Sequence, residues 1–401
     1  MSKERNKVNP MVWVFVAIVL GIASALIWGE KMSFLAPVGN IFINLIKMCC
    51  VPLVMCSIMK AVANMNDLRK LGRIGGKMLG LYVAFGALSG TLGLILAFLT
   101  NLGSGITPLN AEEVEAQSFS ILEVIVNMVP SNIFSAMSSF ELLPCIVFSI
   151  FFGIALTMIG GKAEPVLTVL DGALEAIYKI IEMVMKISPI GIFALLASGI
   201  GSSGKEVLST LGFLIVLVGV GCGILLIIYA LVTKLSSGVS MKKIISAYIR
   251  VAATAFSTRS SSATLPLTMT TATEDLNCDK EVASFTLPVG CTINMNGFIC
   301  ELCLIAVLAG NFYGSPLSLG QCLIAVVIST LSGIGMPGIP NGGAVFYVVL
   351  FGALGLPNGA LIAMLLGVES LMDMICTMAN VCGDMAAASV ISASEGRRKA
   401  E

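Results

Sequence analysis

The sequence predicts an all-α polytopic membrane protein with two interrupted segments in its C-terminal half. Three observations carry this. Of 401 residues, 57% are hydrophobic and only 11% are charged, against about 25% charged in soluble domains. Apolar runs of about 20 residues, the length of a bilayer-spanning helix, recur along nearly the whole chain. Within the apolar C-terminal half, hydroxyls, amides, carboxylates, glycines and prolines gather in a few short stretches that lipid would not solvate.

The same composition excludes several functions. Lys and Arg number 23 and so do Asp and Glu, so no net charge favours nucleic acid as a partner. There is no histidine, which removes His-based triads and His-ligated zinc or haem. Twelve cysteines are scattered, most of them in apolar segments. Cys300 and Cys303 form a C-x-x-C inside an expected span with no second pair, which reads as packing rather than metal or redox chemistry. An intramembrane serine protease built on Ser260–Ser262 would lack both a histidine and a lysine base. No N-x-S/T sequon occurs, which leans toward a prokaryotic source. Met1 to Asn9 is charged and has no small-residue cleavage site after it, so it is expected to be a cytoplasmic tail rather than a signal peptide.

Taken in order, the first span is expected at 11–29 and the second at 37–61, broken near Pro52. A basic loop with Arg69, Lys70, Arg73 and Lys77 leads to a span at 78–100, followed by an acidic loop with Glu112, Glu113 and Glu115. The stretch 119–160 is too long for one simple span and contains Pro130 and Pro144, so a kinked or segmented helix is expected. Next come 165–200, with Lys179 and Lys186 among apolar residues, and a span at 206–234 before the basic loop of Lys234, Lys242, Lys243 and Arg250. With the N-terminus inside, only Lys31 and Lys205 of the 23 Lys and Arg residues fall outside. The C-terminal Arg397, Arg398 and Lys399 then also fall inside, provided two of the C-terminal segments do not cross.

The first such segment, 243–272, carries Arg259 and Ser260–Ser262 in an apolar setting. A guanidinium at membrane depth faces a cavity or a partner, and three serines are poor helix formers. The second, 317–354, has five glycines and two prolines between Ser332 and Gly343, which no continuous helix accommodates. Both read as helix–break–helix hairpins, one entering from each side, followed by spans at 281–309 and 358–393. Paired interrupted segments point to an inverted-repeat transporter with its site near the midplane. Thr292-Ile-Asn-Met-Asn-Gly297 interrupts the span 281–309 and would free backbone carbonyls for a cation. Glu369, Asp373, Thr377, Asn380 and Asp384 step along one face of the last span.

These residues resemble the dicarboxylate/amino acid:cation symporters, the glutamate-transporter superfamily. Four motifs carry the resemblance: Thr258-Arg-Ser-Ser-Ser-Ala-Thr-Leu-Pro266, Gly290-Cys-Thr-Ile-Asn-Met-Asn-Gly297, Gly338-Ile-Pro-Asn-Gly-Gly343, and Asp373-Met-Ile-Cys-Thr-Met-Ala-Asn-Val-Cys-Gly-Asp384. The N-terminal half agrees more loosely, through Leu45–Pro52, Asn127–Pro130 and Ser188–Phe193.

The resemblance implies eight transmembrane helices plus two re-entrant helical hairpins, arranged as an elevator-type homotrimer in a bacterial or archaeal plasma membrane with both termini cytoplasmic. Residues 1–76 and 119–205 would be scaffold, 77–118 and 206–396 the sliding transport domain, and 397–401 a cytoplasmic tail. The second hairpin would be the gate. Ser260, Ser261, Ser262 and Asn380 would hold a substrate α-carboxylate and Asp373 the α-ammonium. Gly338, Cys376, Thr377 and Phe298 complete the substrate-binding set, with Arg259 supporting Asp373. Sodium, the expected coupling ion, would bind backbone carbonyls of Gly290, Asn294 and Asn380 with the Asp384 carboxylate. A second sodium would bind Thr292 and the backbone of Ser332, Ile334 and Met336.

The chain departs from the family pattern in ways that bear on its substrate. Members for acidic substrates carry an Arg where this chain has Cys376. They read Asn-Met-Asp-Gly-Thr where this chain reads Asn294-Met-Asn-Gly-Phe298. Glu301 stands where an uncharged residue is expected and is a candidate proton-carrying group. Relatives with the intact Asp build a further deep sodium site with a Thr-Ser pair in the third span, a place that here aligns with Phe85 and Gly86. The expectation is therefore a symporter for a small neutral L-amino acid of the alanine, serine, threonine or cysteine class. A proton-coupled, acidic amino acid or dicarboxylate carrier of the same family, and a passive channel, are the alternatives.

Overall fold

Proline and glycine placement decides where the apolar runs stop being helices. The computed structural model describes residues 10–64, 72–104, 126, 129–139, 142–203, 205–336, 343–357 and 360–399, and among them there is no strand. The first helices are α1 (Pro10–Trp28), α2 (Ala36–Asn64) and α3 (Gly72–Leu99). The break expected near Pro52 does not occur, because α2 runs through it. Proline removes one backbone bond, whereas unwinding the helix in an apolar setting would strand several more.

The expected segmentation of 119–160 holds for the described part, which forms α4 (Ile133–Ser138) and α5 (Leu142–Ile159). Asn132 caps α4 by accepting from the Phe134 amide at 2.9 Å. The stretch expected as one span at 165–200 is two helices, α6 (Glu164–Lys186) and α7 (Ser188–Ser203). Pro189 sits in the first turn of α7, where its missing N–H has no partner to lose. Lys179 and Lys186 lie on the exposed side of α6 and pair with Glu182 at 2.6 and 3.4 Å.

The remaining helices are α8 (Lys205–Ser237), α9 (Met241–Thr258), α10 (Ser261–Glu274), α11 (Lys280–Ile293), α12 (Asn296–Phe312), α13 (Leu319–Gly335), α14 (Ala344–Ala353) and α15 (Ala360–Lys399). Both expected hairpins are present as helix pairs, α9/α10 and α13/α14. The expected interruption of the span 281–309 is the gap between α11 and α12. The tip of the second hairpin, with Gly338, lies outside the described residues.

Packing places the site. α1 packs on α7, and α2 packs on α5, α6 and α7. In the other half, α15 packs against α8, α9, α11 and α12, while α3 packs against α12 and α13. Lys77 at the start of α3 holds Glu395 near the end of α15 at 2.6 Å. Of α12, every residue but Asn311 is buried. Outward-facing positions elsewhere are apolar, including Trp13, Ile27, Val216, Ile227 and Leu235. Among the described residues six segments are long and apolar enough to cross a membrane. Apolar residues on the outside and carboxylates within invert the usual soluble pattern, as a lipid surround requires.

Candidate functional site

The first hairpin turns on two residues. Arg259 caps α9 in the left-handed conformation, φ 52° and ψ 31°, which few non-glycine residues adopt. Ser260 is extended and caps α10, its hydroxyl accepting from the Ala263 amide at 3.2 Å. Thr264 donates its hydroxyl to the Ser260 carbonyl at 2.8 Å and lies 3.1 Å from the Thr258 hydroxyl. The serine run is thus the geometry of the turn itself. It leaves first-turn N–H groups of α10 free of helical partners, an arrangement that suits an anion. Ser260 and Ser261 are buried, while Ser262 faces outward.

The broken span faces that tip. Asn294 (φ −121°, ψ 69°) and Met295 (φ −100°, ψ 57°) leave the helical region between α11 and α12. Cys291 just before them donates to the Ser261 carbonyl at 3.5 Å. Around the break three polar side chains form a chain: Asn296 Nδ2 donates to Asn294 Oδ1, and Asn294 Nδ2 donates to Asp384 Oδ1, each at 2.8 Å. Asn296 Oδ1 and Asp384 Oδ2 are buried and have no hydrogen-bond partner. Such oxygens are costly to leave unpaired. An all-oxygen set with one carboxylate fits a hard monovalent cation. Gly290 permits the closeness: a Cβ there would lie 2.5 Å from Asp384 Oδ1 and 2.6 Å from the Tyr82 hydroxyl. Tyr82 itself donates to the Thr286 carbonyl at 2.9 Å. Beside Asn294 and Asn296, the rings of Phe85 and Tyr229 pack at a tilt, with centroids 5.1 Å apart, and fill the interior.

One turn along α12, side chains of α12, α14 and α15 converge. Gly297 donates its amide to Asn380 Oδ1 at 2.8 Å. A Cβ on Gly297 would lie 2.5 Å from the Cys376 carbonyl, so α12 and α15 touch backbone to backbone here. Phe298 is buried and packs edge-on against Phe346 of α14, with centroids 5.9 Å apart. A Cβ on Gly343 would meet the Phe298 ring at 2.6 Å and Glu369 Oε1 at 3.2 Å. Cys376 donates its thiol to Glu301 Oε2 at 3.1 Å. The Tyr347 hydroxyl contacts both Glu301 Oε1 and Glu369 Oε2. Thr377 donates to the Asp373 carbonyl at 2.7 Å and lies 3.4 Å from its Oδ1. Arg259 acts electrostatically on Glu369.

The expected site residues fall into three places. Ser260 shapes the hairpin turn and Ser261 meets the broken span; Gly290, Asn294 and Asp384 form the oxygen cluster; Phe298, Asp373, Cys376, Thr377 and Asn380 line the region between α12 and α15. Ser332 and Met336, near the end of α13, are buried, with Ser332 Oγ unpaired, and Ile334 is half-buried. Thr292 is not drawn in: it is exposed, and its hydroxyl donates to the Val289 carbonyl at 2.9 Å. Tyr82, Tyr229 and Tyr347 were not singled out from the sequence. Their signal was a hydroxyl within an apolar run, which the aromatic ring masks.

Comparison with known proteins agrees over nearly the whole length. The sodium:dicarboxylate symporter family model matches residues 11–394. The proton/sodium-glutamate symport protein of Bacillus caldotenax is 31% identical, over 97% of this chain and 95% of the relative. The proton/glutamate-aspartate symporter of Escherichia coli is 31% identical, over 90% and 85%. A C4-dicarboxylate transport protein of Citrifermentans bemidjiense is 29% identical, over 96% and 90%.

Proposed function

The chain belongs to the sodium:dicarboxylate symporter family, and from that premise we propose that it couples sodium to the uptake of a small neutral L-amino acid. As a family member it is a cation-coupled symporter of the membrane and not an enzyme. The observation that carries the substrate reading is the contact of Cys376 with Glu301 at 3.1 Å. An acidic pair and a thiol meet beside Phe298, and Arg259 is a cation in electrostatic reach of Glu369. A substrate side-chain carboxylate entering there would meet like charge in a desolvated site. An α-amino acid needs less. The α10 first turn with Asn380 suits its carboxylate, and Asp373 suits its ammonium. Phe298 limits the side chain to a small one.

In this reading the oxygen cluster at Asn294 and Asp384 takes sodium as cargo, with backbone carbonyls of Gly290 and Asn380. A second sodium would lie against Ser332, Ile334 and Met336 under the second hairpin, with Thr292 turning inward to reach it. The Gly338 tip closes over substrate. The packing of α1, α2 and α5–α7 among themselves supports a fixed scaffold, and the packing of α3 and α8–α15 supports a moving body. Three copies of the chain in a plasma membrane, with eight spans and cytoplasmic termini, complete the proposal.

The names of the relatives favour a second reading, an acidic amino acid or dicarboxylate carrier driven by protons or sodium. One panel separates the two: thermal stabilisation of the purified protein by each amino acid and by succinate, with and without sodium. Alanine, serine, threonine or cysteine should stabilise in sodium only. Stabilisation by aspartate or succinate above all neutral amino acids at neutral pH would overturn the neutral reading.

A further inference from the structure

Tyr347, on the second arm of the second hairpin, meets two carboxyl groups from two different helices. Glu301 comes from α12 and Glu369 from α15, and the one phenolic oxygen contacts both. All three residues are fully buried or nearly so. A phenol has one hydrogen to donate, and an ionised carboxylate has none. If Tyr347 donates to one carboxylate, the second contact is a hydrogen bond only when the other carboxyl carries its own proton and donates it to the phenolic oxygen.

The neighbours do not change this count. Cys376 supplies a thiol hydrogen to Glu301 Oε2, which satisfies that oxygen and leaves the Tyr347 contacts as they were. Other groups acting on the cluster are Asp373 of α15, Arg259 of the first hairpin, Cys222 of α8 and Cys300 of α12. Of these Arg259 alone brings positive charge, and Asp373 adds negative charge.

We propose that Glu301, Tyr347 and Glu369 form a proton-binding site in which one shared proton fastens the second arm of the gate hairpin to α12 and α15. The proton lies on either glutamate and Tyr347 donates to the other; the two arrangements interconvert by shifting both hydrogens, and neither changes the total. When the proton leaves, the phenolic oxygen faces a carboxylate with no hydrogen between them. One of the two contacts then opens, and α14 loses a tie to the body it covers. Gly343, at the start of this arm, lies over Phe298 and Glu369, so the loosening is felt where the hairpin tip begins. The site goes beyond the transport reading and does not depend on which amino acid is carried. Either proposal can fail while the other stands.

The test uses the full-length protein in lipid nanodiscs without substrate. Infrared difference spectra count protonated carboxyl groups by their carbonyl band. The double variant Glu301→Gln/Glu369→Gln should lose one carboxyl equivalent relative to the parent at neutral pH. In the parent that band should disappear as pH rises, and amide hydrogen exchange across 344–353, corrected for its intrinsic pH dependence, should quicken in step. Tyr347→Phe should quicken exchange of the same amides by about tenfold, the loss of one hydrogen bond to a charged group. Loss of no carboxyl equivalent, or of two, would overturn the shared proton. Unchanged exchange in Tyr347→Phe would overturn the fastening. If the double variant does not fold, the parent titration and Tyr347→Phe decide the matter alone.

Discussion

Asp384 and Glu369 lie on the same face of α15, both buried, but their surroundings treat an acidic side chain in opposite ways. Around Asp384 the donors run short. Asn294 serves one carboxylate oxygen, and the other stays unpaired beside an unpaired amide oxygen of Asn296. Around Glu369 a donor is shared, since the Tyr347 hydroxyl touches both this carboxyl and that of Glu301, and the proposed proton supplies the hydrogen that the second contact needs. A surplus of acceptors invites a cation, whereas two acceptors bridged by one phenol suit a hydrogen. The difference teaches that burial alone does not assign a carboxylate its role; the balance of donors around it does.

The largest effect expected is at the open cluster. Asp384→Asn removes the cluster's one carboxylate among the described residues and leaves oxygen ligands without charge, at a cost of roughly 3–5 kcal/mol to cation binding. Sodium titration of thermal stability should shift by more than about a hundredfold, and unchanged sodium dependence would place the cation elsewhere. Asp373, between the two clusters, tests the substrate rather than the ion. Asp373→Asn should lower substrate affinity by at least about a hundredfold, again from roughly 3–5 kcal/mol, while leaving the response to sodium alone close to the parent's. Near-normal affinity, measured by calorimetry, would mean that the amine binds at another group.

A smaller effect is expected from geometry. In Gly290→Ala the new methyl would crowd Asp384 Oδ1 and the Tyr82 hydroxyl at 2.5 and 2.6 Å. Overpacking of this kind costs about 1–3 kcal/mol, visible as a lowered melting temperature and weaker sodium binding. The smallest concerns the closed cluster. Cys376→Arg places a guanidinium within reach of Glu301 and should shift preference toward aspartate over serine by about tenfold, near 1.4 kcal/mol. Competition uptake with and without Glu301→Gln would show whether that glutamate captures the new charge.

Much of this was legible in the sequence. Arg259 with its run of serines marked the first hairpin, a Gly and Pro cluster marked the second, and the polar run at 292–297 marked the broken span to within a few residues. The spacing of Glu369, Asp373, Thr377, Asn380 and Asp384 marked the facing helix. Pro52 misled because the rule that proline breaks helices is weaker where no solvent takes up the freed groups. The single span expected at 165–200 failed at Pro189, which suits the first turn of a new helix. Glu301 was noticed as out of place. Its partners were not, since Tyr347 and Cys376 are distant in sequence and unremarkable in composition. Thr292 lay in the right motif but on the outer side of α11, a half-turn that spacing alone did not resolve.

Asn296, where relatives of the resembled pattern carry Asp, bears on how many sodium ions travel. Phe85 and Tyr229 fill the space beside it, and among the described residues no further carboxylate stands next to Asn296 to charge an additional cation site. Reversal-potential measurement in proteoliposomes, with set sodium, proton and substrate gradients, tests the account most directly. It should return a potential that moves with the sodium gradient and corresponds to no more than two sodium ions per neutral amino acid. A ratio above two, or a reversal potential indifferent to sodium, would contradict it.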